Sequence, residues 1–162
     1  MGIPQQQDPA QTQSTMEAQP HPDKPTNPSQ LPPEALDLAT KLFDYARQGK
    51  TAELRQYISA GIPVNLTNYK GDTLLMLAAY YGNLGTVKML LDNGADTDVL
   101  NERGQSPIAG AVFKGYDEIV KIMAERGADL AAGQPNAIDS ARMFKREEML
   151  RLFGVDQDGQ PA

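Results

Sequence analysis

The chain has 162 residues, enough for one modest domain with tails. Its formal net charge is −6 and its pI about 4.7, whereas nucleic-acid binders carry a basic face, so no DNA or RNA partner is expected. It has no cysteine, which excludes disulfides, thiol nucleophiles and thiolate metal sites.

No apolar run approaches the ~18 residues that span a bilayer. The start, MGIPQQQDPA, lacks the basic and apolar regions of a secretory signal. Gln6 stands where N-myristoylation needs Ser or Thr. These features predict no membrane partner and a cytoplasmic location. The nucleus stays open as well, because no clear basic import cluster decides between the two. In that setting the Asn65-Leu66-Thr67 sequon is expected to go unused.

Residues 1–33 are dominated by Pro, Gln, Ser and Thr. Apolar side chains are too sparse there to offset the entropy of ordering, so a disordered arm is predicted. Pro20, Pro22, Pro25 and Pro28 give it local polyproline II character. A solubilising spacer is the reading preferred over a docking arm. His21, the only histidine, falls in this arm and is read as inert.

Order is predicted to begin at Leu31-Pro32-Pro33-Glu34, where two prolines followed by an acid suit a helix N-terminus. Leu36, Ala39, Leu42, Phe43 and Ala46 follow at helical spacing, and Gly49 stops the helix. A second helix starts at Thr51, turns Leu54, Tyr57 and Ile58 to one side, and ends at Gly61. Gly61, Gly94 and Gly127 are then 33 residues apart, as are Gly49, Gly82 and Gly115, and Gly71 and Gly104. Thr40, Thr73 and Ser106 keep the same register, as do Ala46, Ala79 and Val112.

A 33-residue period with a turn and two helices per unit resembles the ankyrin repeat. The stretch Gly71-Asp72-Thr73-Leu74-Leu75-Met76-Leu77-Ala78-Ala79-Tyr80-Tyr81-Gly82 carries the family's pattern of glycine, Thr-Pro-Leu-His, paired alanines and glycine. Val87, Leu90, Leu91, Gly94, Ala95 and Asp96 complete that unit. The next unit has Gly104-Gln105-Ser106-Pro107-Ile108-Ala109 and closes at Gly127-Ala128-Asp129. Met76 and Ala109 replace the usual His, which implies a lost inter-repeat hydrogen bond and looser neighbouring loops.

The expected fold is therefore an all-α solenoid of helix-turn-helix units joined by short β-turn or hairpin loops. Its units are an N-terminal cap repeat at 34–67, repeats at 68–100 and 101–133, and a C-terminal cap repeat at 134–154. A flexible tail, 155–162, is expected to fray. After Gly127 the period shortens: Ala141, Met149, Leu150 and Phe153 match Ala111, Ile119, Val120 and Met123 at a spacing of 30, so three residues are missing, placed by expectation in the loop 131–135. Lys145, Arg146, Glu147 and Glu148 put charge where the inner glycine turn would be, read as a solvated cap.

No catalytic constellation stands out, so no enzyme activity and no cofactor are expected. Gly82-Asn83-Leu84-Gly85 lies between helices rather than after a strand, unlike a nucleotide fingerprint. Asp92, Asp96 and Asp98 lack EF-hand spacing, so no metal site is assigned. The resemblance implies instead a monomer that binds another protein as an adaptor or inhibitor. The alternative is a structural subunit or assembly chaperone of a larger complex.

The family's variable positions fall on the concave face of the stack. Carried over by register, they are Arg47 and Gln48, Tyr80 and Tyr81, and Phe113 and Lys114 at the inner-helix ends, expected to form two columns. At the loop tips they are Tyr69, Lys70 and Asp72, then Glu102, Arg103 and Gln105. Tyr and Arg are the side chains most enriched at interface hot spots.

Overall fold

A computed structural model of the chain describes residues 33–158 and 160–162. Apart from Pro33, the expected arm lies outside the described residues. Eight helices are described: α1 (Pro33–Gln48), α2 (Thr51–Ser59), α3 (Leu74–Tyr80), α4 (Leu84–Asp92), α5 (Pro107–Lys114), α6 (Asp117–Glu125), α7 (Ala137–Met143) and α8 (Glu147–Phe153). Among the described residues, β structure is limited to two isolated bridges, Thr67 with Thr73 and Val155 with Pro161.

Each helix pair is amphipathic and too small to bury its own apolar side, so neighbouring pairs bury it for each other. The odd-numbered helices form an inner layer in which α3 packs between α1 and α5, and α5 between α3 and α7. The even-numbered helices form the outer layer in the order α2, α4, α6, α8. One continuous core runs through all four units, from Ala39 and Leu42 through Leu75, Leu90, Ile108 and Met123 to Met149 and Leu150. Ala46, Ala78, Ala79 and Ala111 are completely buried, because the short inner helices approach closely only over small side chains.

Capping follows the sequence. The Thr73 hydroxyl accepts from the Met76 amide at 3.0 Å, and the Ser106 hydroxyl from the Ala109 amide at 3.2 Å. Asn136 does the same for α7, accepting from the Asp139 amide at 2.7 Å. Thr40 keeps the register but not the role. It lies inside the 16-residue α1 and donates back to the Leu36 carbonyl, since α1 extends upstream of where the other inner helices begin. The cap Ser106 comes twelve residues after Gly94, whereas Asn136 comes nine after Gly127, which places the three-residue loss in the loop before α7.

The inner turns connect the repeats. Each inner helix ends in a Schellman motif, with the Asn83, Tyr116 and Arg146 amides bonding back to Ala78, Ala111 and Ala141. The residue that follows each turn then lies over the preceding turn. Asn83 donates to the Ala46 and Arg47 carbonyls, both at 2.9 Å, and so satisfies the open end of α1. Arg146 donates to the Val112 and Phe113 carbonyls and does the same for α5. Tyr116 covers Gly82 so closely that a Cβ there would lie 2.9 Å from its ring.

Two expectations are corrected. Lys145 does not abolish the inner turn: it adopts φ 54° and so occupies the left-handed position that Gly49, Gly82 and Gly115 fill elsewhere. Residues 155–158 and 160–162, expected to fray, are hydrogen-bonded into a turn. Asp156 accepts from the Asp158 and Gln160 amides, the Asp156 amide donates to the Gln160 carbonyl, and Ala162 bonds back to Gly154. Arg142 of α7 donates to the Gln157 carbonyl, which holds this turn on the end of the stack.

A left-handed lysine costs roughly 1–2 kcal/mol in backbone sterics, part of which glycine would return through its greater unfolded-state freedom. Lys145→Gly should therefore raise unfolding free energy by about 0.5–1 kcal/mol in urea titration, while Lys145→Ala should give no gain. A loss of stability in the glycine variant would show that the turn carries no strain.

Candidate functional site

The loop-tip residues are placed by two asparagines. The Asn68 Oδ1 accepts the Lys70 and Asp72 amides, each at 2.9 Å, closing a tight hairpin tip. Asn101 does the same with the Arg103 and Gln105 amides, each at 3.0 Å. This geometry leaves Tyr69, Lys70, Glu102 and Arg103 projecting into solvent, with Tyr69 75% exposed and the Lys70 ammonium 5.7 Å from its ring centre.

Asp72 and Gln105 are engaged within the protein. Asn101 Nδ2 donates to Asp72 Oδ1 at 2.9 Å and to Gln105 Oε1 at 2.8 Å. The Glu102 amide donates to the Lys70 carbonyl at 3.0 Å. Two of these bonds, Asn101 to Asp72 and Glu102 to Lys70, cross from one hairpin to the next, so inter-repeat bonding persists without the usual His. Asparagine and backbone take over the inter-repeat bonding.

The helix-end residues form the second group. α3 has seven residues, so at ~1.5 Å per residue its two ends lie ~10 Å apart, with the hairpin tips before its start and Tyr80 and Tyr81 at its finish. Tyr80 is 40% exposed, Tyr81 51% and Phe113 46%. Tyr80 and Tyr81 meet edge to face with ring centres 5.6 Å apart. The Lys114 ammonium sits 5.1 Å from the Tyr80 ring centre. Gly110, inside the unbroken α5, faces the Tyr80 ring, and a Cβ there would be at ordinary contact distance, 3.6 Å. Arg47 is ion-paired with Asp44 at 2.8 Å, and Gln48 is exposed.

The expected straight columns are replaced by diagonals. Tyr80 meets Lys114, one position along in the next repeat, and Phe113 meets Phe144 in the same sense at 5.0 Å, edge to face. Each repeat is rotated slightly against the last, so register neighbours are offset. Phe144 and its neighbour Met143, 63% exposed, extend the candidate surface, and sequence reasoning missed them. The spacing of 30 that matches Ala111 to Ala141 also carries Phe113 and Lys114 to Met143 and Phe144.

The aspartates weighed as calcium ligands have structural partners. Asp92 pairs with Arg126 at 2.6 Å, Asp96 accepts the Asp98 amide, and Asp98 accepts the Asp129 amide from the next repeat. Asn65 of the sequon is buried and accepts the Asp96 amide at 2.9 Å. Among the described residues no group of His, Cys, Asp and Glu is arranged to hold a metal ion, and no helix is long and apolar enough to cross a membrane.

The sequence model of the family described as ankyrin repeats, in three copies, matches residues 42–133, more than half of the chain. The chain belongs to the ankyrin repeat family. An ankyrin repeat protein of Pseudomonas aeruginosa is 47% identical over 60 residues, which covers 37% of this chain and 35% of that relative. The chain thus matches about a third of the length of this curated relative. Ankyrin stacks are generally protein–protein interaction modules and not enzymes. In this ankyrin stack the two candidate surfaces, hairpin tips and inner-helix ends, are held by different bonds.

Asp72→Ala should lower stability by about 1–2 kcal/mol, because it leaves the Asn101 amide short of an acceptor. Tyr69→Ala should leave stability unchanged within error. Urea unfolding of the two variants checks this, and equal effects would remove the distinction between tie and tip.

Proposed function

We propose that the chain is a non-enzymatic adaptor or inhibitor that captures a protein partner through the concave face of its ankyrin stack, centred on the inner-helix ends. The observation that carries this reading is the set of half-exposed rings. Tyr80 with Tyr81, and Phe113 with Phe144, leave 40–51% of each residue open to solvent on consecutive inner helices, in a protein whose other large apolar side chains mostly join one core. Apolar patches maintained at the surface mark interaction sites. Edge-to-face pairing holds the rings in place, so little side-chain entropy is lost when a partner covers them.

Arg47, Gln48 and Lys114 flank the rings in this reading, and Tyr69, Lys70, Glu102 and Arg103 extend the contact toward the hairpin tips. Asp72 and Gln105 support the tips from behind.

The double substitution Tyr80→Ala with Tyr81→Ala tests it. Capture of the partner by the tagged full chain should fall at least tenfold, which corresponds to about 1.4 kcal/mol or more. Thermal unfolding should move by only a few degrees. Collapse of the fold in this variant would make the tyrosines core residues, and undiminished capture would move the binding site elsewhere.

A further inference from the structure

The four inner-helix ends can be aligned through the correction at Lys145. They are Arg47-Gln48-Gly49, Tyr80-Tyr81-Gly82, Phe113-Lys114-Gly115 and Met143-Phe144-Lys145. These positions hold five aromatic or methionine side chains, three cations and no acid, on a chain whose net charge is −6. One cation, Arg47, is neutralised by Asp44, while Lys114 lies over the Tyr80 ring and Lys145 is exposed after Phe144, in a shallow cleft that Asp117, Glu147 and Glu148 also line without ion-pairing to it. Lys145 stands at a left-handed position where the other three turns use glycine. A strained residue beside exposed rings is a feature that stability alone does not account for.

We infer that this strip docks an acidic amphipathic helix of the partner, an inference that rests on the reading of the inner-helix ends as the binding face. Charge complementarity sets the sign of the occupant: Asp or Glu side chains of the helix meet Lys114 and Lys145 and steer the encounter. Spacing sets its form. Packed helices lie ~8–10 Å apart, and a helix repeats the same face every seven residues, about 10.5 Å, so apolar anchors at i, i+7 and i+14 fall on successive rings. Four rows span roughly 30 Å, the length of about twenty helical residues.

A single-stranded nucleic acid also seeks cations and aromatic rings, but it needs free ring faces. Here the rings pair edge to face, and the Tyr80 ring is covered by Lys114 and borders Gly110. The net negative charge of the chain further opposes a polyanion.

The test is selection from a displayed library of 20-residue helical peptides. They share an apolar face at i, i+3, i+4 and i+7 and are random elsewhere, and the full chain is the bait. Selected peptides should carry a clear excess of Asp and Glu over Lys and Arg. Their affinity should fall at least tenfold for Lys114→Glu with Lys145→Glu, and the loss should shrink when peptide acids are exchanged for lysine.

A selected pool without acidic excess, no enrichment at all, or indifference to the two charge reversals would overturn the acidic helix. So would tighter binding of a labelled 20-nucleotide oligothymidine than of the selected peptides. The Tyr80→Ala, Tyr81→Ala chain separates this failure from that of the underlying reading. Peptides with no charge preference that still need the tyrosines leave the face intact and remove only the acidic occupant. Peptides that bind this variant unchanged remove the face itself.

Discussion

The close approach of each inner turn to the one before it fixes the geometry of this stack. Asn83 lies on Gly49, Tyr116 on Gly82 and Arg146 on Gly115, at distances that leave no room for a Cβ without displacement. Two of these three side chains also close the carbonyl end of the preceding inner helix. A single contact type thus sets repeat spacing, caps a helix and couples neighbours. Stability in such an array is a sum of nearest-neighbour terms, so the coupling at each junction decides whether the core of one unit is worth forming.

The same contact positions the candidate face. Arg146 holds the Phe113 carbonyl while the Phe113 ring meets Phe144 across the junction. Tyr80 is bracketed by Tyr81, Lys114 and Gly110. The Phe113 ring therefore sits on a helix end whose carbonyls the next repeat bonds, and the Tyr80–Tyr81 end is covered by Tyr116. Preorganisation of this kind lowers the entropy lost on association. The hairpin tips obey a parallel rule, in which Asn68 and Asn101 fold each tip and Asn101 ties it to its neighbour through Asp72.

The ends of the stack solve a different problem, which is how to stop. At the N-terminal end α1 is longer than any other helix, and exposed Lys41 with half-buried Asp44 and Tyr45 replaces the apolar side chains of α3. At the C-terminal end Arg142 stands where Ala79 and Val112 are buried in earlier repeats, and it bonds the final turn around Asp156. That turn copies the hairpin tips in hydrogen bonding, using Asp in place of Asn.

Local backbone chemistry was legible in the sequence. The 33-residue period, the caps Thr73 and Ser106, the turn glycines and the core leucines each follow from residue type and spacing, because one helix or one turn is specified by its own few residues. The register also led to most of the helix-end set. What the tertiary structure decided is everything that depends on the rotation of one repeat against the next. The diagonal meeting of Tyr80 with Lys114 and of Phe113 with Phe144, the recruitment of Asp72 by Asn101, and the bond of Arg142 to the Gln157 carbonyl all join residues from different segments. The turn at Lys145, φ 54°, is closed locally by the Arg146 and Lys145 amides, and packing adds the bond of the Arg146 side chain to α5. Periodicity fixes which residues share a row, and only packing fixes which of them touch.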